Sequence, residues 1–347
     1  MRALRLVAAT LLLGACASQP IVEYAVEAPP GVTDARGRFQ EIFCAVLREH
    51  GPDLPDYRPC EEALSRIAGQ APGTGAPVDL GPAQRPLVAV MVPGIGYACF
   101  EQWLESPSTP RDHVRKFGYD ARAIQVDALS GTAINARQVR DAILAMPAEP
   151  GPPRLVLIGY SKGTPDILEA VVRYPEIHDR IAAIVSVAGA VGGSALANDA
   201  KAWQADLLRH WPKAECDSGD GEAVSSLRPE IRKAWLATNP LPANLRFYSL
   251  VTLPDRARIS RIVAPTYEKL AKIDPRNDSQ VIYQDQIVPG SALLGFLNAD
   301  HWAVVVPVAR AHPVIGSTLA NHNDYPREAL LEAVLRFVEE DLAKSNQ

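Results

Sequence analysis

An apolar run, Leu155-Val156-Leu157-Ile158, leads directly into Gly159-Tyr160-Ser161-Lys162-Gly163, and a helical pattern over 163–173 follows at once. Nothing else in the chain constrains its fold as much as this junction. A short continuous apolar run is the pattern of a strand buried on both faces, as in a parallel sheet covered by helices. Passing from such a strand to a helix within a few residues needs a sharp turn. Gly159 and Gly163 remove side chains that would meet the neighbouring strand and helix. Ser161 is left at the strand tip, beside a helix N-terminus whose dipole favours negative charge. The pattern G-x-S-x-G is common by itself. A strand before it and a helix after it are what an elbow presenting a nucleophilic serine requires. A glycine-rich turn with a capping serine is the plainer alternative.

The rest of the chain supplies a matching scaffold. Residues 87–92, 121–126, 181–187, 246–251 and 291–297 read as further strands. Residues 34–50, 61–67, 135–146 and 327–344 read as helices, with Asn135 a possible cap and Leu330, Leu331, Val334, Leu335, Val338 and Leu342 on one face of the last. Strands alternating with helices predict an α/β fold: a mostly parallel central sheet with helices on both faces. Residues 69–86 are a Pro/Gly-rich linker. Residues 190–243 are too long for a plain connection and read as a cap or lid insertion, with helical patches near 201–210 and 229–236.

The N-terminus has a different character. Arg2 and Arg5 precede an apolar stretch, 6–13, too short to span a bilayer comfortably, and Leu13-Gly14-Ala15-Cys16 closes it. This resembles a bacterial lipobox. The resemblance implies that 1–15 is a signal peptide and that Cys16 becomes the lipidated first residue, anchoring the chain to a membrane in the cell envelope. Ala17 in place of Asp implies the outer membrane. Residues 16–86 then comprise a tether (17–33), the N-terminal helices and the linker, and 87–347 the catalytic domain. Removing 1–15 takes away two arginines and no acid, so the mature charge is 33 − 40 = −7. No block of like charge suggests nucleic-acid binding. Mean hydropathy of −0.04 with one short apolar run excludes a polytopic membrane protein.

A nucleophilic serine needs an oxyanion hole, a base and an acid. The N–H of Lys162 is one natural donor. The loop Pro93-Gly94-Ile95-Gly96-Tyr97 after the strand at 87–92 offers the other, with Ile95 favoured and Gly96 the alternative. Of seven histidines, His301 follows the last strand, where the chain order Ser…Asp…His delivers the base. Two aspartates lie between the strand at 246–251 and His301: Asp278 and Asp285. The chain carries no metal-site motif and points to no cofactor.

Together, the GYSKG elbow, the PGIGY loop and Asn277-Asp278-Ser279-Gln280-Val281 with Asp300-His301 resemble the bacterial α/β-hydrolase lipases and esterases over about 87–342. The resemblance implies an α/β-hydrolase fold and a serine esterase or lipase acting on small-molecule or lipid esters. It ranks Asp278 above Asp285, because the family acid sits in Asn-Asp-Gly-x-Val. Ser279 replaces that glycine, and Tyr160 stands where lipases usually have histidine. Both departures bear more on long-chain lipase activity than on hydrolysis. Amide or thioester hydrolysis, acyl transfer and a non-catalytic binding role are the alternatives, and the oligomeric state is left open.

An exported chain also reads its cysteines differently. Apart from Cys16 there remain Cys44, Cys60, Cys99 and Cys216, an even number that suggests disulfides in an oxidising compartment. Cys44–Cys60 would staple the two N-terminal helices, and Cys99–Cys216 would tie the loop after Tyr97 to the insertion. Free thiols at Cys99 and Cys216 are the alternative.

Overall fold

The computed structural model describes residues 30–104, 109–147, 151, 154–199 and 219–344. The expected signal segment, Cys16, the helical patch at 201–210 and Cys216 lie outside these residues. Among the described residues, no helix is long and apolar enough to cross a membrane.

Seven strands form one parallel sheet: β1 (Thr33–Asp34), β2 (Val88–Val92), β3 (Asp120–Ala123), β4 (Leu155–Tyr160), β5 (Ile181–Val187), β6 (Phe247–Thr252) and β7 (Ala292–Leu297). Their order is β1-β7-β6-β5-β4-β2-β3, so the elbow strand β4 lies inside the sheet between β5 and β2. This is the α/β-hydrolase arrangement. Buried side chains alternate between the two faces of the strands, as a period of two requires. Val156, Ile158 and Tyr160 of β4 join the core beneath α1 (Arg36–Glu49) and the last helix, Arg327–Lys344. Leu157 joins the opposite core, built from the helices Thr132–Ala145 and Gly163–Arg173.

The N-terminal helix belongs to the first of these cores. Phe39, Ile42, Phe43, Val46 and Leu47 are fully buried against Leu294, Leu297, Val334 and Phe337. Burying a side chain such as Phe39 contributes about 2–3 kcal/mol. The linker then runs along this layer. Arg38 donates to the carbonyls of Ala76 and Pro77, and Arg336 to those of Asp79, Leu80 and Gly81.

Several boundaries differ from the sequence reading. Thr33, read as the last residue of a tether, instead pairs with Ala292 at the sheet edge. The helix expected over 61–67 is a single turn, Cys60–Ala63, after which Leu64 bridges to Leu297. The strand expected over 121–126 ends at Ala123. Asn135 caps nothing: the helix begins at Thr132 after Gly131, and Asn135 is buried inside its first turn. The insertion contains a short turn of helix, Ala195–Asn198, and the helix Pro229–Thr238.

Candidate active site

β4 ends at Tyr160 and the next helix begins at Gly163, so the chain turns within two residues. Ser161 takes φ +54°, the left-handed region, which costs a non-glycine residue about 1–3 kcal/mol. The surroundings impose that conformation. Ser161 donates its N–H to Val187 O at 3.2 Å, and its carbonyl accepts from Thr164 N at 3.2 Å and Ala190 N at 3.0 Å. The flanking glycines are obligatory in this space. A Cβ on Gly159 would lie 2.5 Å from Thr164 Cα, and one on Gly163 would lie 2.0 Å from Val92 O.

His301 follows β7, which is separated from β4 by β6 and β5. Its Nε2 lies 2.9 Å from Ser161 Oγ, and its Nδ1 lies 2.7 Å from Asp278 Oδ2. Backbone contacts set this geometry as much as side chains do. His301 N donates to Asp278 O at 2.9 Å, and the Tyr160 hydroxyl donates to His301 O at 2.8 Å. Burial first, and then the nearby Asp278 and Asp300 carboxylates, hold the Tyr160 phenol well above its ordinary pKa. It therefore stays a neutral donor. Asp300 also serves the loop: its carboxylate accepts from the N–H groups of Ser260, Trp302 and Ala303. Burial raises its pKa against those hydrogen bonds.

Asp278 is fully buried. Its Oδ1 accepts from the N–H groups of Gln280 (2.9 Å) and Val281 (2.7 Å), and its Oδ2 takes the Thr252 hydroxyl at 2.5 Å beside the imidazole. Turning the chain back so that these amides face the carboxylate puts Ser279 at φ +86°. This is the physical reason a glycine suits that position. Asp285 lies elsewhere: it pairs with Lys233 of the insertion at 3.2 Å, and burial raises its pKa.

The loop after β2 approaches the serine closely. A Cβ on Gly94 would lie 2.8 Å from Ser161 Cβ and 3.3 Å from its Oγ. Among the described residues, the N–H groups of Ile95 and Lys162 have no hydrogen-bond partner. The N–H of Gly96, the alternative donor, is taken by Ala128 O at 3.2 Å.

Sequence reading missed two supports. Thr252 ends β6 with its hydroxyl on Asp278; a polar residue at the strand's C-terminal end was the available signal. The Lys162 side chain is buried beneath the elbow and bonds both oxygens of Asp166 at 2.8 and 2.9 Å, with Asn135 Nδ2 adding a bond at 2.9 Å. Its i,i+4 spacing could have been read. Burial raises the Asp166 pKa, opposed chiefly by Lys162.

The insertion packs against Leu168 of the helix that follows the elbow, through Trp235 and Leu236. Arg232 is buried, donates to Val191 O at 3.3 Å and stacks over Trp235. Burial lowers its pKa to about 10, opposed by Glu169 and Asp166. Of the expected disulfides, Cys44–Cys60 is formed. Cys99 is also disulfide-bonded, and its expected partner Cys216 lies outside the described residues.

No protein-family profile matches the chain, nor does any curated protein. Solved structures do match. The metagenomic carboxyl esterase MGS0156 is 39% identical, with a TM-score of 0.83 over 90% of this chain and 93% of that one. Two lipases share the fold at lower similarity. Bacillus licheniformis lipase BlEst2 in mature form is 20% identical, with a TM-score of 0.52 over 70% of this chain and 95% of that one. Staphylococcus hyicus lipase is 13% identical, with a TM-score of 0.52 over 77% of this chain and 99% of that one. The sheet and elbow define an α/β-hydrolase. Within that class, the chain belongs to the family of the carboxyl esterase MGS0156.

Proposed function

We propose that this protein is a serine esterase that hydrolyses carboxylic esters through an acyl-enzyme. The observation that carries the reading is the continuous pair of hydrogen bonds from Ser161 Oγ to His301 Nε2 and from His301 Nδ1 to Asp278. Ser161 Oγ attacks the ester carbonyl as His301 Nε2 takes its proton. The carbonyl oxygen, now negative, is met by the free N–H groups of Ile95 and Lys162. His301 returns the proton to the leaving alcohol, leaving an acyl ester on Ser161. Water, deprotonated by the same imidazole, attacks that ester; the acid departs and the serine regains its proton. Asp278 holds the imidazole in the required tautomer and stabilises its charged form. MGS0156, a protein 39% identical, is a carboxyl esterase, which favours esters over amides. Hydrolysis of p-nitrophenyl esters of increasing chain length tests the activity and its acyl preference. A purified wild-type chain with no turnover on any of them would refute the reading.

The N-terminal Leu-Gly-Ala-Cys sequence supports a second proposal: Cys16 is acylated and anchors the enzyme in the cell envelope, at the outer membrane. Two or more acyl chains anchor stably. Cys16→Ser then moves the protein from the membrane to the soluble fraction, and an unchanged membrane fraction would overturn the assignment.

A further inference from the structure

We propose that His50, His113 and Glu332 form a binding site for a divalent transition-metal ion of the zinc type, separate from the Ser161 site. The three residues come from parts of the chain far apart in sequence. His50 follows α1, His113 lies in the short helix Pro110–Arg115, and Glu332 lies on the last helix. Their ligand atoms all lie within 4.8 Å of one another. His113 Nε2 is 2.6 Å from Glu332 Oε2, and His50 Nδ1 is 3.0 Å from the same oxygen. Glu332 and His113 are buried, while His50 keeps a fifth of its side chain in solvent and leaves an entry path.

Two imidazoles and one carboxylate are a donor set that zinc takes with an open fourth position. Ligand atoms around a tetrahedral ion with bonds of about 2.0–2.1 Å stand roughly 3.3 Å apart. The two histidine contacts to Glu332 Oε2 therefore need to open by under about 1 Å, which side-chain torsions supply. Glu332 has an outer-shell partner, and the two imidazole rings pack against a shared aromatic ring. Arg336 Nε holds Oε1 at 2.7 Å, an oxygen that His50 Nδ1 also approaches at 3.1 Å, while Oε2 meets both histidines. The His50 ring stacks on Phe117 at 4.6 Å, and His113 meets the same ring edge-on at 5.3 Å. None of the three residues is hydrogen-bonded to Ser161, His301 or Asp278, so the ion has no part in the proposed hydrolysis. It would join α1, the helix at 110–115 and the last helix, and its binding would therefore stabilise the fold. The rival occupant of the triangle is a proton shared among the same three groups.

The test uses the untagged full chain, stripped with EDTA, equilibrated with zinc chloride and desalted. Its metal is counted by mass spectrometry, and its Tm is measured with and without zinc. The expected result is about one zinc per chain and a higher Tm with zinc than with EDTA. His50→Gln and His113→Gln should each weaken binding by about 10²-fold or more and remove the Tm shift. His178→Gln should retain both, since His178 Nε2 is bonded to Val171 O, outside the cluster. Because His50 is partly exposed, His50→Gln should fold, which unchanged ester hydrolysis and circular dichroism would verify. Failure to retain stoichiometric zinc would overturn the proposal in favour of the proton. Zinc bound as tightly by His50→Gln as by the wild type would overturn it as well.

Discussion

Among the described residues, two contacts join a buried histidine to a buried carboxylate, and they are alike only up to the imidazole. His301 meets Asp278 at 2.7 Å, and His113 meets Glu332 at 2.6 Å. Beyond His301 stand a strained serine hydroxyl and two amides without partners. Beyond His113 stand a second histidine and an arginine on the same carboxylate. An imidazole held against a carboxylate is therefore common to both and does not by itself distinguish the Ser161 site. In the proposed mechanism the Ser161 site adds a partly buried hydroxyl at the end of a strand and two amide donors for charge that develops later. The other arrangement offers ligands and has nothing to attack with.

Substitutions at matched positions should expose this contrast. Ser161→Ala and His301→Ala should each lower kcat by about 10⁴-fold or more, whereas His113→Gln should change it by less than about twofold. Steady-state hydrolysis of a p-nitrophenyl ester reads both. Comparable losses at His113 and His301 would erase the distinction.

The next largest effect separates the two aspartates. Asp278→Asn should lower kcat by about 10³–10⁴-fold through loss of the correct imidazole tautomer. Asp285→Asn should leave the chemical step intact, because Asp285 pairs with Lys233. The reverse order would reassign the acid.

A smaller loss tests the loop after β2. Gly94→Ala places a methyl group 2.8 Å from Ser161 Cβ. Displacing a reacting group by a fraction of an ångström should lower kcat by up to about 10²-fold with little change in thermal stability. Wild-type kcat in this variant would show that the loop yields freely and does not hold the Ile95 amide.

The smallest effect falls on the N-terminal layer and concerns stability alone. Cys44–Cys60 closes a loop of 16 residues in sequence separation. Replacing both cysteines by serine should destabilise the fold by about 3 kcal/mol in denaturant titrations while leaving kcat unchanged. A large fall in kcat in the folded variant would show that this layer and the Ser161 site are coupled.

Much of this architecture was legible from the sequence because it rests on local patterns. The strand at 181–187, the helix at 163–173 and the helix at 327–344 lie where their apolar periodicity put them. Ser161, His301 and Asp278 were legible because each follows directly on a strand or sits in a short motif. What escaped was set by tertiary contact. β1 is two residues long and exists only because Ala292 and Leu293 are there to pair with it. Asn135 carries the composition of a cap, yet it is drawn inward by Asp166 and by Asp127 O. His50, His113 and Glu332 share no spacing that a linear pattern could reveal, since the fold alone brings 50, 113 and 332 together. That the Gly96 amide has a partner could not be read either, because the partner, Ala128 O, comes from a different loop.

Covalent trapping at Ser161 tests the central claim most directly. A fluorophosphonate probe incubated with the native protein should add one adduct, seen by intact mass, and peptide mapping should place it on Ser161. His301→Ala should react far more slowly, and Ser161→Ala not at all. An adduct on another residue, or none on a protein that turns over esters, would contradict the account.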